Sequence, residues 1–169
     1  MFITLGPFLV FVFLYVFGKN KFELDDYNLK LTGLPKNVST PATPFILFSN
    51  LETTSQRRDF LNEVNRLDVF FKKSDLQPRF FQLSSTGLIP DSKIKIEGTL
   101  PLEIIQDFWL HSDTVLTIQT AKGKTSKRLP KPPRAFLFDT LNNLRGVYEL
   151  CNSQSMDTLM LEYKILTEK

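Results

Sequence analysis

The chain has 169 residues, with 21 Lys+Arg against 18 Asp+Glu and a formal net charge of +3, the dimensions of one ordinary domain. A hydrophobic share of 42% beside 23% charged residues excludes wholesale disorder. One Cys and one His exclude a disulfide framework, a Cys-x-x-Cys redox pair, a Cys-rich zinc or iron–sulfur site and a three-His metal centre, so no metal or other cofactor is expected.

Residues 2–17, FITLGPFLVFVFLYVF, carry no charge and are closed by Gly18 and Lys19. As a helix they rise roughly 25 Å, the short end of what ~30 Å of hydrocarbon requires. Pro7 falls early, where proline is tolerated, and Tyr15 suits the membrane interface. A cleaved signal peptide would show a basic leading region and small residues before the cut; here there is no basic lead, and Val16-Phe17-Gly18 is too bulky. Residues 1–18 are therefore read as a transmembrane anchor in the lipid bilayer. Residues 19–26 form a short charged tether, and 27–169 form the domain. Lys19 and Lys21 favour a cytoplasmic body under the positive-inside rule.

Along the domain, Tyr27–Leu34 alternates as a strand, and Phe45-Ile46-Leu47-Phe48 is an apolar run suited to a strand buried on both faces. Thr53 and Gln56 have the spacing of a capping box. Phe60, Val64, Leu67 and Phe71 then form one stripe of an amphipathic helix. A short strand follows at Arg79–Leu83, a helix from Pro101 to Asp113, and an alternating strand at Thr114–Thr120. Ala135–Asp139 and Leu144–Leu150 flank a turn at residues 140–143, where Asn tolerates a left-handed backbone. Met156, Leu159, Met160, Tyr163 and Leu166 mark a closing helix. The expected fold is α/β, and this order of elements is that of a thioredoxin-like domain.

Six positive residues, Lys122, Lys124, Lys127, Arg128, Lys131 and Arg134, fall in a stretch without acids, stiffened by Pro130, Pro132 and Pro133. A solvated loop is the plain reading of such a run. The functional reading is a docking loop for anionic lipid or an acidic partner, with Pro133 beside the usual active-site position of the fold. Nucleic acid is excluded as a partner because the charge is local and lacks interleaved aromatics. His111 is read as a helix-end residue and Cys151 as a small packed thiol. No pair of carboxylates has evident acid/base spacing, and the 16 Phe are read as anchor and core.

The stretch AFLFDTLNNLRGVYELCNSQSMDTLMLEYKIL resembles the closing hairpin and helix of the SCO/SenC family of membrane-anchored copper-chaperone and thiol-redox proteins. The resemblance lies in the apolar strand ending in Asp139, the turn, the Arg145-Gly146-Val147-Tyr148-Glu149 strand and the following helix. Anchored TlpA/ResA thioredoxins end similarly, and Pro133–Asp139 matches their Pro-x-x-Phe-Leu-x-Asp. The SCO/SenC resemblance implies a Cys-x-x-x-Cys pair after the first buried strand and a His before the hairpin, together binding copper. This sequence instead reads Phe48-Ser49-Asn50-Leu51-Glu52-Thr53-Thr54-Ser55 and Leu129-Pro130-Lys131-Pro132-Pro133 at those places. Asn50, Leu51, Thr54 and Ser55 are thus the degenerate active-site positions. Without thiolates and imidazole there is no soft Cu(I) site and no thiol exchange.

The resemblance accordingly implies a non-catalytic, extracytoplasmic domain acting as accessory subunit or assembly factor of a membrane complex, a respiratory oxidase by family context. One alternative is a copper-delivery or thiol-redox protein using Cys151, His111 and a Met. Another is a cytoplasmic-facing adaptor that docks through the basic loop.

Overall fold

The computed structural model describes residues 24–27, 29–31, 43–49, 54–83, 94–100, 115–120, 123–130 and 133–168. Strand β1 (Phe45–Ser49) is buried at every position, as its unbroken apolar run predicts. It pairs in parallel with β2 (Arg79–Leu83) on one side and antiparallel with β6 (Arg134–Phe138) on the other. Beyond β2 lies β3 (Ile96–Leu100), parallel, and beyond β6 lies β7 (Leu144–Glu149), antiparallel. The strand order is β3-β2-β1-β6-β7.

The connection from β1 to β2 contains helix α1 (Thr54–Lys73), and α2 (Ser153–Thr167) follows β7. The predicted stripe Phe60, Val64, Leu67 and Phe71 is buried against Ile46, Phe48, Ala135 and Leu137, together with Met156, Leu159 and Tyr163 of α2. Phe48 stacks on Phe80 at 5.6 Å and meets Phe60 edge-on, so these phenylalanines are core. Asp75, with φ 53°, ends α1 in the left-handed conformation after Lys72 and Lys73, whose charge suits the helix C-terminus.

The opposite face of the sheet is covered by a separate hairpin, β4 (Val115–Thr120) and β5 (Gly123–Arg128). Leu116 and Ile118 enter a second core with Phe45, Leu47, Phe81, Phe136 and Phe138. Tyr27 and Leu31 complete that core, each 3% exposed. Among the described residues the body therefore has three layers: helices, sheet, and hairpin with the amino-terminal segment.

Three sequence expectations need correction. In place of the expected Tyr27–Leu34 strand, the described residues of 24–31 make isolated bridges, Asp26 to Gln119 and Lys30 to Asn143, and residues 32–34 lie outside the description. The alternation still reports burial, but the segment joins two different elements, so no continuous ladder can form. The basic stretch is no loop over 123–128, because it pairs residue for residue with β4. Strand β3 was not expected: as an edge strand of pattern part-buried, exposed, part-buried, exposed, buried, it has a weak apolar signal. The 101–113 helix and the Thr53 capping position lie outside the described residues, as do residues 2–17. No helix among the described residues is long and apolar enough to cross a membrane.

Candidate functional site

Strand register brings three expected features to one end of the sheet. Ser49, the last residue of β1, pairs with Arg134, the first of β6, so Pro133 stands beside the point where the chain leaves β1 for α1. The buried Ser49 hydroxyl donates to the Arg134 carbonyl at 3.4 Å. Leu150 N–H donates to the Pro133 carbonyl at 2.9 Å, which puts Cys151 at this same end. Of the positions that the resemblance marks as degenerate, Asn50 and Leu51 lie outside the described residues; Thr54 and Ser55 occupy the first turn of α1.

Cys151 is half-buried and packs against the core between the sheet and the helices. Burial pushes its thiol pKa up, and the carboxylates of Asp59, Glu149 and Glu63 push it further in the same direction. The sulfur is therefore held as a thiol, the unreactive form. No cluster of three or more His, Cys, Asp or Glu with metal-binding geometry occurs among the described residues. His111 lies outside them.

The basic residues do not act as one patch. Arg134 is 1% exposed; its Nε donates to the Pro130 carbonyl at 2.6 Å, and burial pushes its pKa down. The docking expectation for Arg134 is thereby corrected: it begins a strand whose every position is buried. Pro133 is buried as well. Lys124, Lys127 and Arg128 are exposed on β5. Lys127 lies 3.3 Å from the Asp25 carboxylate and 5.7 Å from the Tyr27 ring centroid. Burial alone lowers its pKa, but Tyr27 and Asp25 outweigh that and hold it up. Lys122 and Lys131 lie outside the described residues.

A cleft of about 300 Å³ opens beside these residues, between the 25–27 segment, β5, β7 and α2. Its floor is Tyr148, whose hydroxyl donates to Glu162 at 2.5 Å. Burial raises the Glu162 pKa, against the opposing pull of the Tyr148 hydrogen bond and Lys127. Gly146 makes this geometry possible: a Cβ there would lie 1.8 Å from the Tyr148 hydroxyl oxygen. At the cleft's rim Arg145 reaches Asp139 at 2.8 Å and Asp26 at 3.7 Å. Sequence reasoning missed Glu162; the signal was the spacing of Ser155, Thr158 and Glu162 on successive turns, a polar stripe alongside the apolar face of α2.

Asp139 closes the β6–β7 turn. Its carboxylate accepts from the backbone of Leu141 and Asn143, the Asn143 amide and Arg145. Burial alone would raise its pKa; these donors outweigh burial and hold it below the usual carboxylate value. Asn142 takes φ 65°, the left-handed turn residue that the sequence anticipates.

No family model matches the chain, and no curated protein matches it. Among solved structures it is similar to a SCO1/SenC family lipoprotein from Bacillus anthracis str. Ames, with TM-score 0.48 and 13% identity over 78% of this chain and 84% of that one. It is also similar to a Xanthomonas campestris peroxiredoxin Q, with TM-score 0.43 and 10% identity over 75% of this chain and 81% of that one. Both stand as structural neighbours of a chain whose own strand order, parallel β1–β2 with an intervening helix and antiparallel β6–β7 with a closing helix, is that of a mixed α/β thioredoxin-like fold.

Proposed function

We propose that this protein is a thioredoxin-like binding module without thiol-exchange or Cu(I)-delivery chemistry, held at a membrane by residues 2–17. In this reading it is an accessory subunit or assembly factor of a membrane complex, a respiratory oxidase by family resemblance, with its domain on the extracytoplasmic side. The sheet end around Ser49, Pro133 and Cys151 is the face assigned to the partner. One observation carries the reading. The chain's single cysteine stands half-buried at the Ser49–Pro133 end of the sheet, and the sequence holds no second thiol for it to exchange with. A dithiol exchange needs two thiols, and a soft Cu(I) site needs at least one more soft ligand. Confinement to the bilayer raises the effective concentration for partners in the same membrane.

The position of Cys151 is also what favours the rival reading, copper delivery through Cys151, His111 and a Met. A Cu(I) titration of the full-length protein in detergent, against a competing chelator, separates the two. The expected result is no stoichiometric uptake, unchanged by Cys151→Ser. Tight binding of one equivalent, lost in Cys151→Ser, overturns the proposal. Membrane co-purification supplies the second arm: a chain starting at Leu24 should lose most of the partner that the full chain retains, whereas equal recovery removes the role given to the anchor.

A further inference from the structure

Antiparallel pairing leaves one backbone slot open on the outer edge of β7. Leu150 N–H donates to the Pro133 carbonyl at 2.9 Å, and the register runs without a break from Arg134↔Glu149 to Leu137↔Gly146. Residues of such a ladder alternate, so Tyr148 and Gly146 turn their backbone groups to β6 while Glu149 and Val147 turn theirs outward. The neighbouring outward groups are taken. Glu149 N–H donates to the Ser155 hydroxyl at 2.9 Å, and its carbonyl accepts from Asn152 N–H at 3.3 Å. Leu144 N–H donates to the Leu29 carbonyl at 2.8 Å. Between them Val147 has no outward backbone partner among the described residues, although it is only 7% exposed. A buried N–H and C=O left unpaired are costly and rare.

The amino-terminal segment leaves this slot open. It covers the start of β7 through Leu29 but lies against β4 at Asp26, which bridges Gln119. The gap is the cleft of about 300 Å³ that Val147 lines. On the Val147 face of β7 the cleft offers Tyr27, a member of the same apolar cluster. On the Tyr148 face it offers Ser155, Thr158 and Glu162 of α2. The cations around it are engaged: Lys127 with Asp25, Arg145 with Asp139 and Asp26, and Arg128 with a partner of its own. Glu162 is the one carboxylate of the lining outside an ion pair among the described residues, and Tyr148 occupies only one of its oxygens.

We infer that this cleft binds an extended segment of a partner protein, which pairs with the edge of β7 by exchanging both backbone hydrogen bonds with Val147 and sets a Lys or Arg beside Glu162. An extended chain is what presents an N–H and a C=O together to a strand edge. Alternation then places the residue opposite Val147 against Tyr27 and its two neighbours over α2. The recognised pattern is therefore an apolar residue flanked by a base. This surface is additional to the sheet end assigned above to the membrane partner, and the inference uses no property of residues 2–17.

The test uses the full chain in detergent and a mixture of acetylated, amidated pentapeptides Ala-Lys-Xaa-Lys-Ala, with Xaa as Ala, Val, Leu or Phe. Saturable binding is expected, with hydrogen exchange at the Val147 amide slowed roughly ten-fold as read by NMR. N-methylation of Xaa removes its N–H donor and should weaken binding roughly ten-fold. Norleucine in place of both lysines should weaken it roughly three-fold in the parent and leave Glu162→Gln unaffected. Absence of saturation, equal binding of the N-methylated mixture, or unchanged Val147 exchange overturns the inference. Those arms use the parent protein, so they stand whether or not Glu162→Gln folds. Equal binding of the lysine and norleucine mixtures to the parent overturns the role given to Glu162. Val147 exchange that slows with protein concentration alone makes a second copy the occupant and overturns the inference too.

Discussion

Gly146 and Tyr148 show how one residue decides the geometry of the cleft. They sit two positions apart on β7, on the same face, and the ring of Tyr148 crosses the space a Cβ would occupy, 1.8 Å from its hydroxyl oxygen. With Gly146→Ala the ring must swing away and abandon the Glu162 carboxyl, leaving a half-buried acid without its donor. The expected loss is roughly 1–3 kcal/mol, seen as a lower denaturation midpoint with unchanged m-value. In a Tyr148→Ala background the same glycine substitution should cost far less, because the clash has gone; equal costs in the two backgrounds would refute the steric account. Arg134 makes the complementary point. Its charge reads as surface in the sequence, yet the side chain is buried with its Nε bonded to the Pro130 carbonyl, and only neighbouring strands could reveal that.

At the scale of elements, the β6–β7 turn is organised by one carboxylate. Asp139 gathers donors from Leu141, Asn143 and Arg145, so its pKa is held below the ordinary value. The unfolded chain then takes up the proton first as pH falls. The stabilisation is complete above the unfolded pKa, about 3.9, and drains away as pH drops through the lower folded value. Asp139→Asn should be less stable than the parent by roughly 1–3 kcal/mol at neutral pH, with the difference narrowing in acid; a pH-independent gap would contradict the assignment. Elements with strong local signals were legible beforehand: β1 by its four consecutive apolar residues, α1 and α2 by their stripes, the turn by its asparagines. Elements held by pairing alone were not. β5 is polar and basic throughout and is a strand because β4 supplies hydrogen bonds along its whole length; β3 is a half-exposed edge.

For the whole molecule, the amino-terminal segment is a structural part rather than a leash. Asp26 bonds to β4, Leu29 and Leu31 bond to the β6–β7 turn region, and Tyr27 and Leu31 are buried against the sheet. A chain beginning at Leu24 keeps all of this and should unfold in one cooperative step. A chain beginning at Thr32 loses two buried apolar side chains, at about 1.5–3 kcal/mol each, and should show a correspondingly lower thermal midpoint. Equal stability of the two chains would mean that the segment does not seal the core. The candidate site shows the same dependence on assembly. The absence of a second thiol was readable from composition, but the place of Cys151 at the end of β1, among Asp59, Glu63 and Glu149, required the β1–β6–β7 register and the packing of α1.

Composition and local pattern by themselves determined which donor atoms the chain can offer, one thiol and one imidazole, together with the buried central strand and the two helices, because donor atoms can be counted and periodicity is written within a few neighbouring residues. Tertiary structure decided which charges are buried, which strands exist only through their partners and where the lone thiol stands, because those properties depend on groups far apart in the chain whose hydrogen bonds and desolvation arise only once the sheet is assembled.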